Sequence, residues 1–177
     1  MNNRSHTLSV SALLTSLLLL VVLAAPVGAV GERGSLAIYH DVVVVTLTNA
    51  SSDGHQLGDL RVTSTETTDE DGQVIGRLEA TLTTTAVDVP AVGDEIRIST
   101  LVFSFGDGDV DQVVVGGSAR YPAQGPTIAT GNVTTRPILG GSGRFEGAAG
   151  SAVTEHLADG SWVHTLYFSD GETITSV

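Results

Sequence analysis

Residues 140–168 read GGSGRFEGAAGSAVTEHLADGSWVHTLYF. A glycine-rich segment leads into a β-prone run, then Asp159-Gly160, then a second β-prone run. No helical period interrupts the stretch. Asp-Gly between alternating strands signals a tight hairpin, because a type I′ turn needs positive φ at both central positions. A two-residue loop there sets Glu155 opposite His164, Leu157 opposite Trp162 and Val153 opposite Leu166 on one face. The other face then carries Ala152, Thr154 and His156 against Tyr167, Thr165 and Val163, and only one face can point inward.

The same reading extends outward from this hairpin. Strands are expected over residues 36–48, 60–67, 73–87, 95–105, 110–121, 127–135, 147–157 and 162–168, separated by Gly-, Asp- and Pro-rich turns. The 21 threonines of the chain suit such strands better than helices. Eight strands in meander order predict an all-β chain folded as an eight-stranded antiparallel up-and-down β-barrel of calycin type, since closure removes sheet edges. A β-sandwich is the alternative.

Ahead of the strands, Arg4 and the apolar run 13–23 have the layout of a signal peptide, with Pro26 and Val27-Gly28-Ala29 marking a small-residue cleavage site. Residues 1–29 are therefore expected to be a signal peptide and residues 30–177 the barrel. A single Arg, with no twin pair, points to the general secretion route, and a secreted product is expected. An uncleaved anchor is disfavoured because the run is short for a bilayer span.

Composition excludes several classes. The 177-residue chain has 20 acidic residues, 8 basic ones and a formal charge of −12. Nucleic acid and anionic membranes are unfavourable partners for such a surface. With no cysteine there is no disulfide, thiolate nucleophile or Cys-ligated metal. Asp107, Asp109 and Asp111 alternate like a calcium loop, but Gln112 stands at the turn position and Ser118 at the closing one, so no metal is expected. No Ser has the setting of a nucleophile elbow.

Residues 138–150, ILGGSGRFEGAAG, resemble the GGTGRFxGARG segment of the allene oxide cyclase-like and dirigent-like barrel superfamily, with Ala149 where that pattern usually carries Arg. Residues 71–76, DGQVIG, are similar to its acidic turn followed by a Gly-x-x-x-Gly strand. The resemblance implies a cofactor-free barrel around a lipophilic cavity, associating as a homodimer or homotrimer. It also implies an isomerase-like role, directing cyclisation or coupling of an unsaturated small molecule by orientation, as allene oxide cyclases, dirigent proteins and [4+2] cyclase barrels do. A non-catalytic carrier of a hydrophobic ligand and a purely structural envelope barrel are the alternatives. Physically, the glycines would bend a strand at a barrel corner and Phe145 would plug one end.

Candidate site residues follow from strand parity. Leu78, Ala80 and Leu82 share a face opposite Arg77, Glu79 and Thr81, which makes the apolar set interior. Leu78, Leu82, Phe103, Phe105 and Val163 are the expected ligand-binding wall. Desolvating a lone lumen carboxylate is costly, so the Glu155–His164 pair is set outside, and Thr154, His156 and Tyr167 become the candidate catalytic groups. Glu155 and His164 are kept as an alternative acid pair, able to share a proton if they face inward.

Overall fold

The computed structural model describes residues 34–169 except 49–54, 124 and 126. The expected signal peptide lies outside the described residues. Among them the chain forms nine strands and one short 3-10 turn, with no α-helix. The strands are β1 (Ser35–His40), β2 (Thr46–Thr48), β3 (Leu60–Thr68), β4 (Val74–Val87) and β5 (Asp94–Phe105), followed by β6 (Asp111–Pro122), β7 (Val133–Ser142), β8 (Gly150–His156) and β9 (Trp162–Phe168). Consecutive strands from β3 to β9 pair antiparallel. β1 then pairs along β9 from Ser35↔Tyr167 to His40↔Trp162 and meets β3 at Tyr39↔Thr68, which closes an eight-stranded barrel. β2 is an extra strand on the Leu60 end of β3.

β4 shows why this sequence makes a barrel wall. Leu78, Ala80, Leu82 and Thr84 are buried while Arg77, Glu79, Thr81 and Thr85 are exposed, a strict period of two. β5 continues the pattern, with Arg97, Ser99, Leu101, Phe103 and Phe105 buried. The interior face is thus apolar along most of its length and turns polar toward one end.

Three expected elements differ from what forms. The single strand 36–48 is split: residues 41–45 leave the ladder, with Val42 72% and Val44 83% exposed, although the carbonyl of Val44 accepts a hydrogen bond from the Thr63 hydroxyl at 2.9 Å. The strand expected at 127–135 instead runs as β7 through Gly140 and Gly141, because a bulge at Leu139 of β7, opposite the Val114–Val115 step of β6, lets the ladder continue. The third difference is the last hairpin. Gly160 donates to the Leu157 carbonyl at 3.0 Å, and Leu157 donates to the Ser161 carbonyl at 2.8 Å. Ala158, Asp159 and Gly160 therefore make a three-residue loop. Among these three only Gly160 has positive φ, +91°, and the Asp159 carboxylate accepts from the Ser161 N–H and hydroxyl, as in a type I turn followed by a left-handed glycine. The pairing moves by one residue, to Thr154↔His164 and His156↔Trp162.

The glycine corner closes the other end of the barrel. Gly143 starts the 3-10 turn at φ +61°, and a Cβ there would stand 2.1 Å from the Asp111 carboxylate. Phe145 is buried against Phe105 and Phe168, with ring centroids 4.8 and 6.1 Å away, and so plugs this end as expected. Arg144 holds the turn down through Asp111, with N–H to Oδ1 at 2.9 Å and Nε to Oδ2 at 3.2 Å. A Gly143→Ala variant is expected to lose more than about 1 kcal/mol of stability, from the positive φ and the displaced carboxylate together. Urea unfolding followed by circular dichroism measures it, and an unchanged midpoint would remove the corner's steric rationale.

Candidate functional site

At the end opposite the phenylalanine plug, the barrel keeps an open cavity of about 60 Å³. Its apolar wall includes Leu78, Ala80, Leu82, Leu101, Ile128 and Trp162. The polar groups on it include His40, Tyr121, Thr134, Arg136, Thr154 and His164. Residues on all eight barrel strands converge there, Thr63 of β3 included, because each is placed by the inward parity of its own strand.

The one-residue slip in the last hairpin decides which side chains these are. His164 is 2% exposed and lies on the cavity wall beside Thr154, so the expected Glu155–His164 pair does not form. Glu155 pairs across to Val163 on the outer face. Tyr167 is 40% exposed on that same face, and Val163 alternates with His164 away from the interior, so neither lines the cavity. Thr154 points inward as expected. His156 stacks on Trp162, centroids 4.1 Å apart and planes within 7°, and its Nδ1 donates to the Ile128 carbonyl at 2.8 Å. His156 therefore braces the mouth instead of lining the cavity. Leu78 and Leu82 do line it. Phe103 packs edge-on against His164 at 5.0 Å, one layer below, and Phe105 belongs to the plug.

The hydrogen bonds fix a direction. His40 Nδ1 lies 2.8 Å from the Asp41 carbonyl, His40 Nε2 lies 3.0 Å from His164 Nε2, and His164 Nδ1 lies 2.9 Å from the Thr154 hydroxyl. A carbonyl only accepts, so the Nδ1 of His40 carries the proton and its Nε2, in the neutral ring, accepts. His164 must then donate from Nε2 and accept at Nδ1 from the Thr154 O–H. Both rings are held neutral. Burial pushes the His164 pKa well below the ordinary imidazole value, and the nearby His40 and Arg136 push it further. Burial likewise lowers His40, against the opposing pull of Asp41. The result is an ordered relay of hydrogen bonds, from the Thr154 hydroxyl through His164 to His40, whose far nitrogen is anchored on the backbone carbonyl of Asp41 at the rim.

A second polar group supports the adjoining wall. Arg136 on β7 is 3% exposed and donates to the Tyr121 hydroxyl at 2.5 Å and to Thr134 Oγ1 at 2.7 Å. The Tyr121 ring stacks on Arg97, whose guanidinium carbon is 4.6 Å from the ring centre. Arg97 donates from Nε to Glu95 Oε2 at 2.7 Å and reaches the Gly125 carbonyl at 2.8 Å, tying the segment after β6 to the barrel. Glu95 is fully buried, accepts from the Thr84 hydroxyl at 2.9 Å and meets His55 Nδ1 at 2.8 Å, with Arg61 at 3.6 Å. Burial works against its ionisation, but the hydrogen bonds from His55, Arg97 and Thr84 outweigh it and hold its pKa below the usual carboxylate value.

Sequence reasoning missed His40, Arg136, Tyr121, Arg97 and Glu95 as parts of the site. A signal was present for two of them. Arg97 shares its strand parity with Leu101 and Phe103, and Arg136 shares its parity with Ile138, so each is a cation on an otherwise inward face. Among the described residues no group of three or more His, Asp or Glu is arranged to hold a metal ion.

Searches of protein-family models and of curated protein sequences found no match to this chain. Solved structures do match. The Diels–Alderase AbmU from Streptomyces koyangensis superposes with a TM-score of 0.57 at 20% identity, covering 82% of this chain and 75% of that one. The pterocarpan synthase dirigent protein GePTS1 gives 0.52 at 15% identity over 82% and 90% of the two chains. A pyocyanin demethylase gives 0.56 at 16% identity over 75% and 98%. At identities this low the likeness is one of architecture, and the fold of this chain is that of the dirigent-like and Diels–Alderase-type barrels.

Proposed function

We propose that this barrel binds a small unsaturated molecule in its open end and directs the ring closure or coupling of that molecule. The observation that carries the reading is the ordered Thr154–His164–His40 relay on the wall of a largely apolar cavity. An apolar wall with a few convergent polar groups is the usual build of a small-molecule site. Thr154 can take a proton from the substrate while handing its own to His164 Nδ1, and the imidazole pair holds that proton until it is returned to the product. Holding a flexible substrate in one reactive conformation supplies rate without covalent chemistry. The structural likeness to a Diels–Alderase and to a pterocarpan synthase dirigent protein supports the same direction. An intramolecular ring closure rearranges bonds within one molecule, so its atoms balance with no second reactant. Export by the general secretory route would place the reaction outside the cytoplasm, and a homo-oligomer is the expected assembly.

The cavity volume also favours a second reading. About 60 Å³ is small beside the roughly 300–1,000 Å³ of most ligand pockets, so only part of a drug-sized molecule fits without side-chain movement. A carrier gripping one end of a hydrophobic ligand would need no more room. The experiment separating the two incubates the protein with a lipophilic extract of its producing cells and follows bound and free compounds by chromatography with mass detection. Cyclisation gives a product of unchanged mass and altered retention, and His164→Phe lowers its rate by about a hundredfold or more, the usual scale of a lost general acid–base group. A compound that binds and returns unaltered establishes the carrier, and no bound compound leaves a structural barrel.

A further inference from the structure

The three arginines buried at the open end differ in one respect. Arg61 and Arg97 both approach the Glu95 carboxylate, at 3.6 and 2.7 Å. Arg136, equally buried, makes no ion pair among the described residues, and its hydrogen-bond partners are the neutral oxygens of Tyr121 and Thr134. Its Nε is buried and has no hydrogen-bond partner at all. An unpaired cation in an apolar interior is costly, as is an orphaned buried N–H, and both costs vanish when an anion arrives. Arg136 lines the cavity, and among the described residues no Asp or Glu lines it with Arg136, although the chain carries 20 acidic side chains and a formal charge of −12.

We propose that Arg136 is the anchor for an organic oxyanion, a carboxylate or an acidic enolate carried by the ligand of this cavity. The guanidinium offers a planar fork that matches two oxygens of such a group. Tyr121 and Thr134 hold that fork in place from the adjoining strands, and Arg97 beneath the Tyr121 ring fixes the ring itself. The unsaturated part of the ligand then lies along Leu78, Leu82 and Trp162, toward the neutral relay. An anion at Arg136 in turn gives a conjugated ligand a fixed polar end, so the remainder enters the cavity in one orientation.

This inference rests on the small-molecule reading of the cavity but is tested without turnover. The chain has a single tryptophan, and Trp162 forms part of the cavity wall, so its fluorescence reports occupancy directly. The probes are sorbate, a short conjugated carboxylate, and sorbamide, its neutral counterpart of nearly the same shape. The wild-type protein is expected to bind sorbate about tenfold or more tightly than sorbamide, with that preference falling as salt rises. Arg136→Gln abolishes the preference by weakening sorbate far more than sorbamide, while Arg136→Lys, which keeps the charge without the fork, retains part of it. The wild-type comparison stands even if a variant fails to fold. Equal binding of the two probes, no response to either, or a preference that survives Arg136→Gln in a folded variant would overturn the anchor. A neutral compound cyclised by a protein with no anion preference would refute the anchor and leave the cyclase reading standing. Tight sorbate binding by a protein that transforms nothing would do the reverse.

Discussion

A Glu95→Ala variant unfolds at a much lower urea concentration than the wild type, with about 3–5 kcal/mol of stability lost. The size of the effect follows from what the carboxylate leaves behind. Glu95 is fully buried and is the acidic partner of two buried arginines, Arg97 at 2.7 Å and Arg61 at 3.6 Å. Removing it takes the carboxylate away from both cations and the acceptor away from the Thr84 hydroxyl, and each hydrogen bond lost in the interior costs the desolvation of its donor. The damage also reaches the cavity, because Arg97 holds the Tyr121 ring and Tyr121 accepts from Arg136. Glu95→Gln keeps the shape and one acceptor oxygen and is expected to fall between the two. Denaturation followed by far-ultraviolet circular dichroism makes the comparison. A midpoint within about 0.5 kcal/mol of wild type, the scale of an ordinary surface change, would mean the network is solvated and contributes little.

How much of this was readable beforehand depends on which interaction decided each feature. The barrel was readable because period-two burial is written directly into strands such as β4, where Leu78, Ala80 and Leu82 alternate with charged or hydroxyl side chains. The plug was readable because Phe145 is the one large apolar side chain between Gly140 and Gly150. The face of the last hairpin was not. Asp-Gly suits a two-residue type I′ loop and a three-residue loop ending in a left-handed glycine, and the sequence does not choose between them. The choice moves His164 inward and Tyr167 outward, so one residue of loop length exchanges a candidate site. The arginines were hidden for a different reason. Composition places charge at the surface by default, and only the three-dimensional meeting of β3, β5 and the Glu95 carboxylate makes burial of Arg61 and Arg97 tolerable. His40 escaped because residues 36–48 read as one strand, whereas β1 ends at His40 and its ring turns onto His164.

The relay makes the protein acid-labile in a window set by its histidines, and the sign is fixed by the direction of their shifts. His164 and His40 both titrate below the ordinary imidazole value in the folded protein, His164 far below. In the unfolded chain they take up protons near pH 6.5. Their stabilising contribution is therefore complete above about pH 6.5 and declines as the pH falls, because the unfolded state binds protons that the folded state refuses. Each ring that stays neutral erodes stability by up to about 1.4 kcal/mol per pH unit below that point. His55 works in the opposite sense. Its hydrogen bond to Glu95 raises its pKa, so its contribution is present at low pH and lost as the pH rises through the raised value. Glu95, held below the usual carboxylate value, loses its contribution only below about pH 4.3, outside this window. Urea midpoints between pH 7.5 and 5.5 should thus fall for the wild type, and His164→Gln, which keeps a donor and an acceptor but does not titrate, should flatten the slope. An equally steep slope in that variant would place the proton uptake elsewhere. The shift also separates stability from chemistry. Burial holds the folded His164 well below the ordinary imidazole value, so a cyclisation that depends on the relay is expected to keep its rate per folded molecule over the range in which the protein becomes easier to unfold. A rate that falls in parallel with stability would mean that the imidazole protonates in the folded state, and that the cavity admits more water than its buried histidines imply.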